Sequence, residues 1–337
     1  MTTNQLPPFI DALLHPTAYP HPVTEIKLVQ THISYVLLAG AFVYKIKKPV
    51  NFGFLDFTTL AQRQHFCQEE LRLNQRLCPS LYLEVLPISE DGEGVTLNGP
   101  GTVIEYCLKM ARMPEEQMMG AVIGRGQLTR AMLDGIVDRL VPFYQQAEGG
   151  PEIQAFGTAQ AVAVNVLENF EQTQAFIGCP ALSQGQFDTI TTYAKGFLAQ
   201  ESLFEKRIRE GLIREGHGDL YSANICLSEP IYIYDCIEFN QRFRLCDVAS
   251  DVAFLAMDLD FHGLSELSRY FINSFSQRAN DQGLLTMLNF YKCYRAYVRG
   301  KIGLFTANAP EVDAQTKATS MQGAKNYFAL AYAYAQA

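Results

Sequence analysis

Three oxygen-bearing side chains stand close together in this sequence: Asp219 and Asn224 lie in one stretch, and Asp235 follows eleven residues after the asparagine. Phosphoryl transfer uses such a set, because one carboxylate orients the attacking hydroxyl while an amide oxygen and a second carboxylate hold Mg²⁺. Asp and Asn are also common turn residues, so each of them alone would indicate only a loop. The ordered set predicts Asp219 as the catalytic base, and Asn224 and Asp235 as the ligands of the metal.

Hydrophobic periodicity predicts the elements that must position this set. One continuous helix over residues 187–208 leads into the loop of Asp219. The apolar runs Ile225–Leu227 and Ile231–Tyr234 predict a small hairpin after the loop, and they are the only clear strand candidates in this half of the chain. The loop and the exit of the hairpin would present the three side chains between rigid elements.

The first third of the chain is predicted to be mostly β. Strands are expected at 25–30, 35–39, 41–47, 82–88, 94–97 and 102–110, with a helix over 59–77 between the third and the fourth. That helix carries Glu70 on its apolar face, where an ionised group is costly unless it is paired. From Pro114 onward the pattern turns helical, so the boundary between the two parts lies near Ala111–Pro114.

The loop resembles a known catalytic loop. The spacing from Asp219 to Asn224 equals that in protein kinases, H-R-D-L-x-x-x-N. Gly218 stands where those enzymes have arginine, which is similar to the small-molecule branch containing aminoglycoside phosphotransferases, choline kinases and fructosamine kinases. The segments 43–57, 69–74 and 235–240 resemble a bacterial group of aminoglycoside phosphotransferase-family proteins, and the likeness spans residues 25–305. Tyr221 departs from that group, which often has His at this position.

This resemblance implies a fold class and a domain division. The class is α+β, a bilobal protein kinase-like fold with a small antiparallel β N-lobe containing one main helix and a larger, mostly α-helical C-lobe. The domains would be an N-terminal extension at 1–24, a nucleotide-binding N-lobe at 25–112, and a helical C-lobe with the catalytic loop and acceptor site at 113–337.

The resemblance also implies a strand lysine that holds the nucleotide phosphates and pairs with a helix glutamate. Lys45 and Lys47 lie on one face of the third strand, so alternation cannot separate them. The likeness to the family's position favours Lys45. The misfit carboxylate Glu70 is its expected partner, with Glu69 as the alternative.

Two further nucleotide contacts are expected from the same likeness. Thr31 and Ser34, between the first two strands, would contact phosphate through backbone and hydroxyl groups, although the pattern G-x-G-x-x-G is missing. The adenine would bind backbone groups of a hinge near Met110 and Arg112.

The composition limits other classes of function. The 337 residues include 48% hydrophobic and 18% charged residues, typical of a globular protein, and the formal net charge of −8 argues against a nucleic-acid duplex as partner. None of the eight cysteines forms a C-x-x-C pair, no apolar run is long enough for a membrane helix, and no secretion signal is recognised. We therefore expect a cytoplasmic protein without a membrane partner.

Together these features predict a phosphotransferase that uses ATP and Mg²⁺ and acts on a hydroxyl of a small molecule. Acidic residues at 247, 251, 258 and 260 would suit an aminoglycoside, but helix starts also favour carboxylates for structural reasons, so the acceptor stays open. The nucleotide preference and the oligomeric state stay open as well. The alternatives are a catalytically weak nucleotide-binding regulatory protein and a protein kinase-like enzyme, and the absence of an Asp-Phe-Gly…Ala-Pro-Glu segment argues against the latter.

Overall fold

The computed structural model describes residues 6–310 and 312–337. The chain divides into two compact units. The first comprises the described residues up to Gln117 together with Tyr232–Asn240, and the second comprises Met118–Ile231 and Gln241–Ala337. The predicted domain boundary between residues 112 and 113 stays a prediction. The segment that carries Asp235 packs into the first unit, although most of the second unit precedes it in sequence.

A six-stranded antiparallel sheet forms the base of the first unit. Its strands lie in the order β1-β2-β3-β6-β4-β5. Their bounds are β1 Ile26–Gln30, β2 Ser34–Ala39, β3 Phe42–Lys47, β4 Tyr82–Asp91, β5 Gly94–Leu97 and β6 Thr102–Ala111. Successive side chains of a strand point to opposite faces, so Tyr44 and Ile46 share one face of β3 while Lys45 and Lys47 share the other.

The N-terminal segment covers one face of this sheet. α1 (Pro8–Ala12) and the residues after it place Ile10, Leu13 and Tyr19 in one apolar cluster with Tyr44 and Ile46. Residues that the sequence indicated as an extension thus supply part of the core of the first unit.

α2 (Leu60–Gln75) packs against β4 and β6. It begins at a capping box, in which the Thr59 hydroxyl accepts from the Gln62 backbone and the Gln62 side chain accepts from the Thr59 backbone. Glu70 and Asn74, one turn apart on this helix, are both buried. This helix therefore places two polar side chains in the interior of the unit, where each requires a partner.

The second unit is mostly helical. α10 is buried along most of its length, and it packs against α11 and α12, while α12 and α13 pack along each other. The helices are α3 Met119–Gly124, α4 Arg130–Gln146, α5 Pro151–Gln154, α6 Ala159–Thr173, α7 Gln184–Leu198, α8 Glu201–Arg209, α9 Gln241–Arg244, α10 Val248–Phe261, α11 Ser265–Arg278, α12 Leu284–Asn308 and α13 Ala314–Gln336. The remaining strands of the chain are β7 Ile213–Glu215, β8 Ile225–Cys226, β9 Tyr232–Ile233 and β10 Leu245–Asp247.

The helix predicted over 187–208 is two helices, α7 and α8, because the chain leaves helical geometry at Gln200 (φ −86°, ψ 59°). The prediction that the two hairpin runs are the only strands in this half is also wrong. β7 and β10 pair antiparallel, and three-residue strands are too short to show an alternation in the sequence.

The predicted α+β class is confirmed. An antiparallel sheet with one main helix forms the first unit, and helices dominate the second. Within residues 6–310 and 312–337, no helix combines the length and the apolar character needed to cross a bilayer.

Candidate active site

The first unit brings two lysines and three carboxylates together. Lys45 Nζ donates to Glu70 Oε1 at 2.8 Å and to Asp235 Oδ1 at 2.6 Å. Lys47 Nζ donates to the other oxygen of Glu70 at 2.7 Å and also to Glu238. The ion pair expected between Lys45 and Glu70 is present, and each lysine holds one oxygen of the same glutamate. We call these five residues the lysine cluster.

Exposure separates the two lysines. The Lys47 side chain is 1% exposed and lies over the Phe57 ring, 4.8 Å from its centroid. The Lys45 side chain is 17% exposed, and that of its partner Asp235 is 42% exposed. A ligand can contact only the accessible end of the cluster, and this end consists of Lys45 and Asp235.

Burial and charge act against each other in the lysine cluster. Burial would raise the pKa of Glu70, but Lys45 and Lys47 outweigh it and lower the pKa from 4.5 to about 2. Burial raises the pKa of Glu238, assisted by repulsion from Glu70 and opposed by Lys47. Burial would lower the pKa of Lys45, but Asp235 and Glu70 reverse the effect and raise it well above its ordinary value. Lys45 is thus a fixed cation at neutral pH.

The backbone of Asp235 has an unusual conformation that its neighbours hold in place. Its φ of 63° lies in the left-handed region, which Asp tolerates better than most residues other than Gly. Its N–H donates to the Tyr82 hydroxyl at 3.2 Å, and the next N–H, of Cys236, donates to Asn74 Oδ1 at 2.9 Å. The sheet and α2 therefore fix the main chain on both sides of the Asp235 carboxylate.

The second unit holds the other two residues of the predicted set together. The Asn224 side-chain amide donates to the Asp219 carbonyl and to Asp219 Oδ2, each at 3.0 Å. Ser222, between them, donates its N–H to Asp258 Oδ2 at 3.0 Å. The loop thus has a defined internal structure, in which Asn224 orients the carboxylate of Asp219. Both bonds use the amide nitrogen of Asn224, so its amide oxygen takes no part in them.

Asp251 on α10 anchors the start of this loop. It is fully buried, and its two oxygens accept from the N–H groups of His217 at 2.6 Å and Gly218 at 2.9 Å. Tyr144 donates its hydroxyl to the same carboxylate at 3.1 Å. A Cβ on Gly216 would come within 2.4 Å of Asp251 Oδ2, so only glycine permits this close approach.

Arg295 on α12 completes the anchor. It donates to the Gly218 carbonyl at 2.9 Å and to the Ser250 carbonyl at 3.3 Å, and its Nη2 lies 3.6 Å from Asp251 Oδ1. The guanidinium also lies over the Phe254 ring at 4.8 Å. Both the carbonyl and the N–H of Gly218 are therefore bonded, which leaves the backbone before Asp219 little freedom.

The expected phosphate-contacting hydroxyls take part in a turn. Thr31 Oγ1 accepts from the Ser34 N–H at 2.9 Å, and the Thr31 N–H donates to the Ser34 carbonyl at 2.9 Å. Ser34 is fully buried, and its hydroxyl has no hydrogen-bond partner among the described residues. Ser34 stands opposite Lys47 in the pairing of β2 with β3. The role of Thr31 and Ser34 toward a nucleotide stays a prediction.

The two expected hinge residues lie at the end of β6. Met110 is buried and stands opposite Val43 in the sheet. The Arg112 N–H donates to the Ala41 carbonyl at 2.9 Å. Adenine contacts at this edge stay a prediction.

Sequence reasoning missed three residues at this site: Glu238, a member of the lysine cluster, and Asn74 and Tyr82, which bond the backbone around Asp235. Glu238 follows Asp235 by three residues, and a carboxylate within a buried apolar segment is the same signal that identified Glu70. Asn74 stands four residues after Glu70, and that spacing places both on one face of α2. The role of Tyr82 had no sequence signal, since a tyrosine in a strand is ordinary.

Comparison with known proteins gives distant relatives. No family model matches the chain. Uncharacterized proteins of Mycobacterium tuberculosis and Mycobacterium bovis are each 34% identical to it over 302 residues, which cover 87% of this chain and 59% of the relative. The chain thus spans somewhat more than half the length of these curated relatives.

Two solved structures identify the fold. A choline/ethanolamine kinase family protein from Mesorhizobium loti has a TM-score of 0.53 at 13% identity, covering 97% of this chain and 99% of that one. Amicoumacin kinase in complex with AMP-PNP, Ca²⁺ and Ami has a TM-score of 0.51 at 11% identity, covering 95% of this chain and 92% of that one. The predicted protein kinase-like fold is confirmed.

Proposed function

We propose that this protein is a phosphotransferase that moves the γ-phosphoryl group of ATP to a hydroxyl of a small molecule, with Asp219 as the catalytic base. The observation that carries this function is the ordered pair Asp219–Asn224, on a loop anchored through its backbone, in a chain that also builds the Lys45–Glu70–Asp235 cluster. The fold supports it, because a structural neighbour named as a kinase is in complex with the nucleotide AMP-PNP and with Ca²⁺.

The donor atoms suit Mg²⁺. Asn224 donates its amide N–H groups to Asp219, so its amide oxygen is the atom that would ligate a cation, and the Asp235 carboxylate is partly exposed. The described residues contain no cluster of three or more His, Cys, Asp or Glu side chains suited to a metal. Mg²⁺ usually keeps waters and substrate phosphate oxygens among its ligands, so one carboxylate and one amide are a sufficient protein contribution. When bound, the ion would offset charge on the phosphate oxygens.

The residues of this chain divide the remaining work. Asp219 accepts a hydrogen bond from the acceptor hydroxyl and takes its proton as the new oxygen–phosphorus bond forms. The bond from the γ-phosphorus to the bridging oxygen breaks, and ADP leaves with that electron pair. Lys45 binds the phosphates and is oriented by Glu70, while Asn224 fixes the carboxylate of Asp219.

A phosphate-transfer screen with radiolabelled ATP over metabolites and aminoglycosides tests this function. Asp219→Asn serves as the blank, and Asp91→Asn, at the exposed end of β4, serves as the matched control. We expect acceptor-dependent transfer by the parent and by the control, and a loss of about 10²–10⁴-fold in the blank with ATP binding retained. Transfer that survives in Asp219→Asn contradicts the assignment. Binding of Mg²⁺–ATP without any turnover over the whole panel would favour the regulatory alternative.

A further inference from the structure

The carboxylates near the catalytic loop are already bonded within the protein. Asp251 binds the loop backbone and Asp258 accepts from Ser222, as described above. Asp247 accepts from Arg207 at 2.7 Å. Asp260 accepts from Lys292 at 2.8 Å and from Tyr334 at 2.5 Å. An acceptor with several ammonium groups needs carboxylates that are available to bind it. The four carboxylates described above already accept hydrogen bonds from other groups of the protein.

A cation stands near the loop instead. The Arg299 guanidinium carbon lies 4.8 Å from the centroid of the Tyr221 ring and 5.6 Å from that of the Tyr327 ring. The Tyr221 ring stacks on Phe254 at 5.4 Å, and the Tyr327 ring stacks on Phe261 at 3.8 Å. The guanidinium therefore contacts two aromatic rings, each of which stacks on a second ring.

Arg299 differs from Arg295, which lies one turn earlier on α12. Arg295 donates to two carbonyls and lies beside the Asp251 carboxylate. Arg299 forms no ion pair with any residue that the structure describes, and its Nε is buried without a hydrogen-bond partner there. Burial alone would lower the pKa of Arg299, but the two tyrosines, a hydrogen bond with the Tyr327 side chain and the nearby Asp219 carboxylate raise it. The charge of Arg299 thus lies within electrostatic reach of Asp219 and has no carboxylate bonded to it.

We propose that Arg299 binds an anionic group of the acceptor, a carboxylate or a phosphate, while the acceptor hydroxyl is presented to Asp219. This proposal rests on the proposed phosphotransferase function. It assigns the acceptor to hydroxylated anions and excludes polycationic aminoglycosides as the preferred class.

The chemistry of the guanidinium supports this assignment. Its planar set of five N–H donors matches the two oxygens of a carboxylate or a phosphate. Tyr327 takes one hydrogen bond from the Arg299 side chain, and the contacts with the aromatic faces use none of the other donors. Tyr221 is two residues from Asp219, so an anion on Arg299 and a hydroxyl on Asp219 would be parts of one small molecule.

The test is a titration of the full chain, observed through the arginine Nε–H resonances by NMR. The probes are malonate, inorganic phosphate and, as the cation, putrescine, each in the presence of Mg²⁺–ADP. Arg299→Lys identifies the resonance of Arg299 by its loss. Arg130, which also lies over a tyrosine ring at 5.0 Å but on α4, provides the reference resonance and the control variant Arg130→Lys.

We expect malonate or phosphate to shift the Arg299 resonance in a saturable manner, with no saturable shift at Arg130 and none from putrescine. The probe with the higher affinity distinguishes a carboxylate from a phosphate acceptor. If Arg130 shows saturable shifts equal to those of Arg299, the anions bind nonspecifically and the proposal is overturned. The proposal is also overturned if neither malonate nor phosphate shifts the Arg299 resonance.

Turnover separates this inference from the function on which it rests. Among acceptors in the phosphate-transfer screen, those with an anionic group should be used, and Arg299→Met should raise their KM about tenfold or more while the KM for ATP is unchanged. Use of amines in preference to hydroxy acids overturns the anion proposal but leaves the phosphotransferase intact. Failure to bind Mg²⁺–ATP at all overturns the phosphotransferase function, and the acceptor role of Arg299 with it.

Discussion

The two chemistry-bearing regions hold their carboxylates by different means. In the first unit, the ammonium groups of Lys45 and Lys47 hold Glu70 from both sides. In the second unit, the Asp251 carboxylate is held mainly by backbone N–H groups of the loop that leads to Asp219. The first region owes its order to side-chain charge, and the second owes its order to the path of the main chain.

This difference has a physical consequence. A charge network depends on the protonation of its members, and removing one member leaves another buried charge without a partner. A carboxylate bonded to backbone amides fixes where the loop runs, so its removal should displace Asp219, the proposed catalytic base. The two regions should therefore fail in different ways when a single side chain is changed.

The largest effect is expected for Glu70→Gln. This change leaves Lys45 and Lys47 with one formal negative charge fewer between them, and breaking a buried pair costs about 3–5 kcal/mol in the free energy of unfolding. Urea unfolding of the parent and the variant measures it. Glu69→Gln, which changes a neighbour that pairs with Arg72 at the surface, is the control and should cost little. If Glu70→Gln lowers the free energy of unfolding no more than Glu69→Gln does, the lysine cluster does not stabilise the protein.

The same variant gives a prediction about pH. The pKa of Glu70 is lowered from 4.5 to about 2 in the folded chain, so its stabilising effect is complete above pH 4.5 and is lost as the pH falls toward 2. The stability advantage of the parent over Glu70→Gln should therefore shrink across that interval. If this advantage stays constant from about pH 6 down to the pH at which the parent unfolds in acid, the result would contradict the charge network.

Asp251→Asn tests the backbone anchor. The amide can still accept one hydrogen bond, but it cannot accept from both loop N–H groups, so Asp219 should lose its fixed position. We expect kcat to fall about 100-fold with little change in nucleotide affinity. Steady-state kinetics measures kcat, and isothermal titration calorimetry with Mg²⁺–ADP measures the nucleotide affinity. A variant that loses nucleotide affinity while kcat is preserved would reverse the contrast between the regions.

A smaller effect is expected for Lys45→Met. The side chain is partly exposed at the accessible end of the cluster, so its loss should raise the KM for ATP about tenfold and cost less stability than Glu70→Gln. Lys27→Met, on the exposed face of β1, is the matched control for loss of a strand lysine. If Lys47→Met raises the KM more than Lys45→Met at equal stability, the two lysines have been assigned in the wrong order.

The sequence predicted those parts of the molecule that depend on local pattern. The six strands of the first unit and α2 follow from alternation and periodicity. A charge on an apolar helix face predicted that Glu70 is paired, and the family resemblance pointed to Lys45 as its partner. The short strands β7 and β10 and the break at Gln200 depend on tertiary pairing, which leaves no periodic signal.

The partners of the site residues were harder to predict, because they come from distant parts of the chain. Asn74 and Tyr82 hold the backbone around Asp235 from more than 150 residues away in sequence. Arg299 reaches the ring of Tyr221 from α12, and only the packing of helices shows it. Residue types predict what chemistry a chain can do, whereas long-range packing decides which side chains are available for it.

The most direct test concerns the metal that Asn224 and Asp235 would share. Nucleotide affinity as a function of Mg²⁺ concentration should be measured for Asn224→Ala, Asp235→Asn and the double variant. If both side chains ligate one ion, each single variant weakens Mg²⁺-dependent binding, and the double variant is weakened by less than the sum of the two free-energy changes. Changes that add fully, or a single variant that binds Mg²⁺–ATP like the parent, would contradict a common metal and the phosphotransferase mechanism built on it.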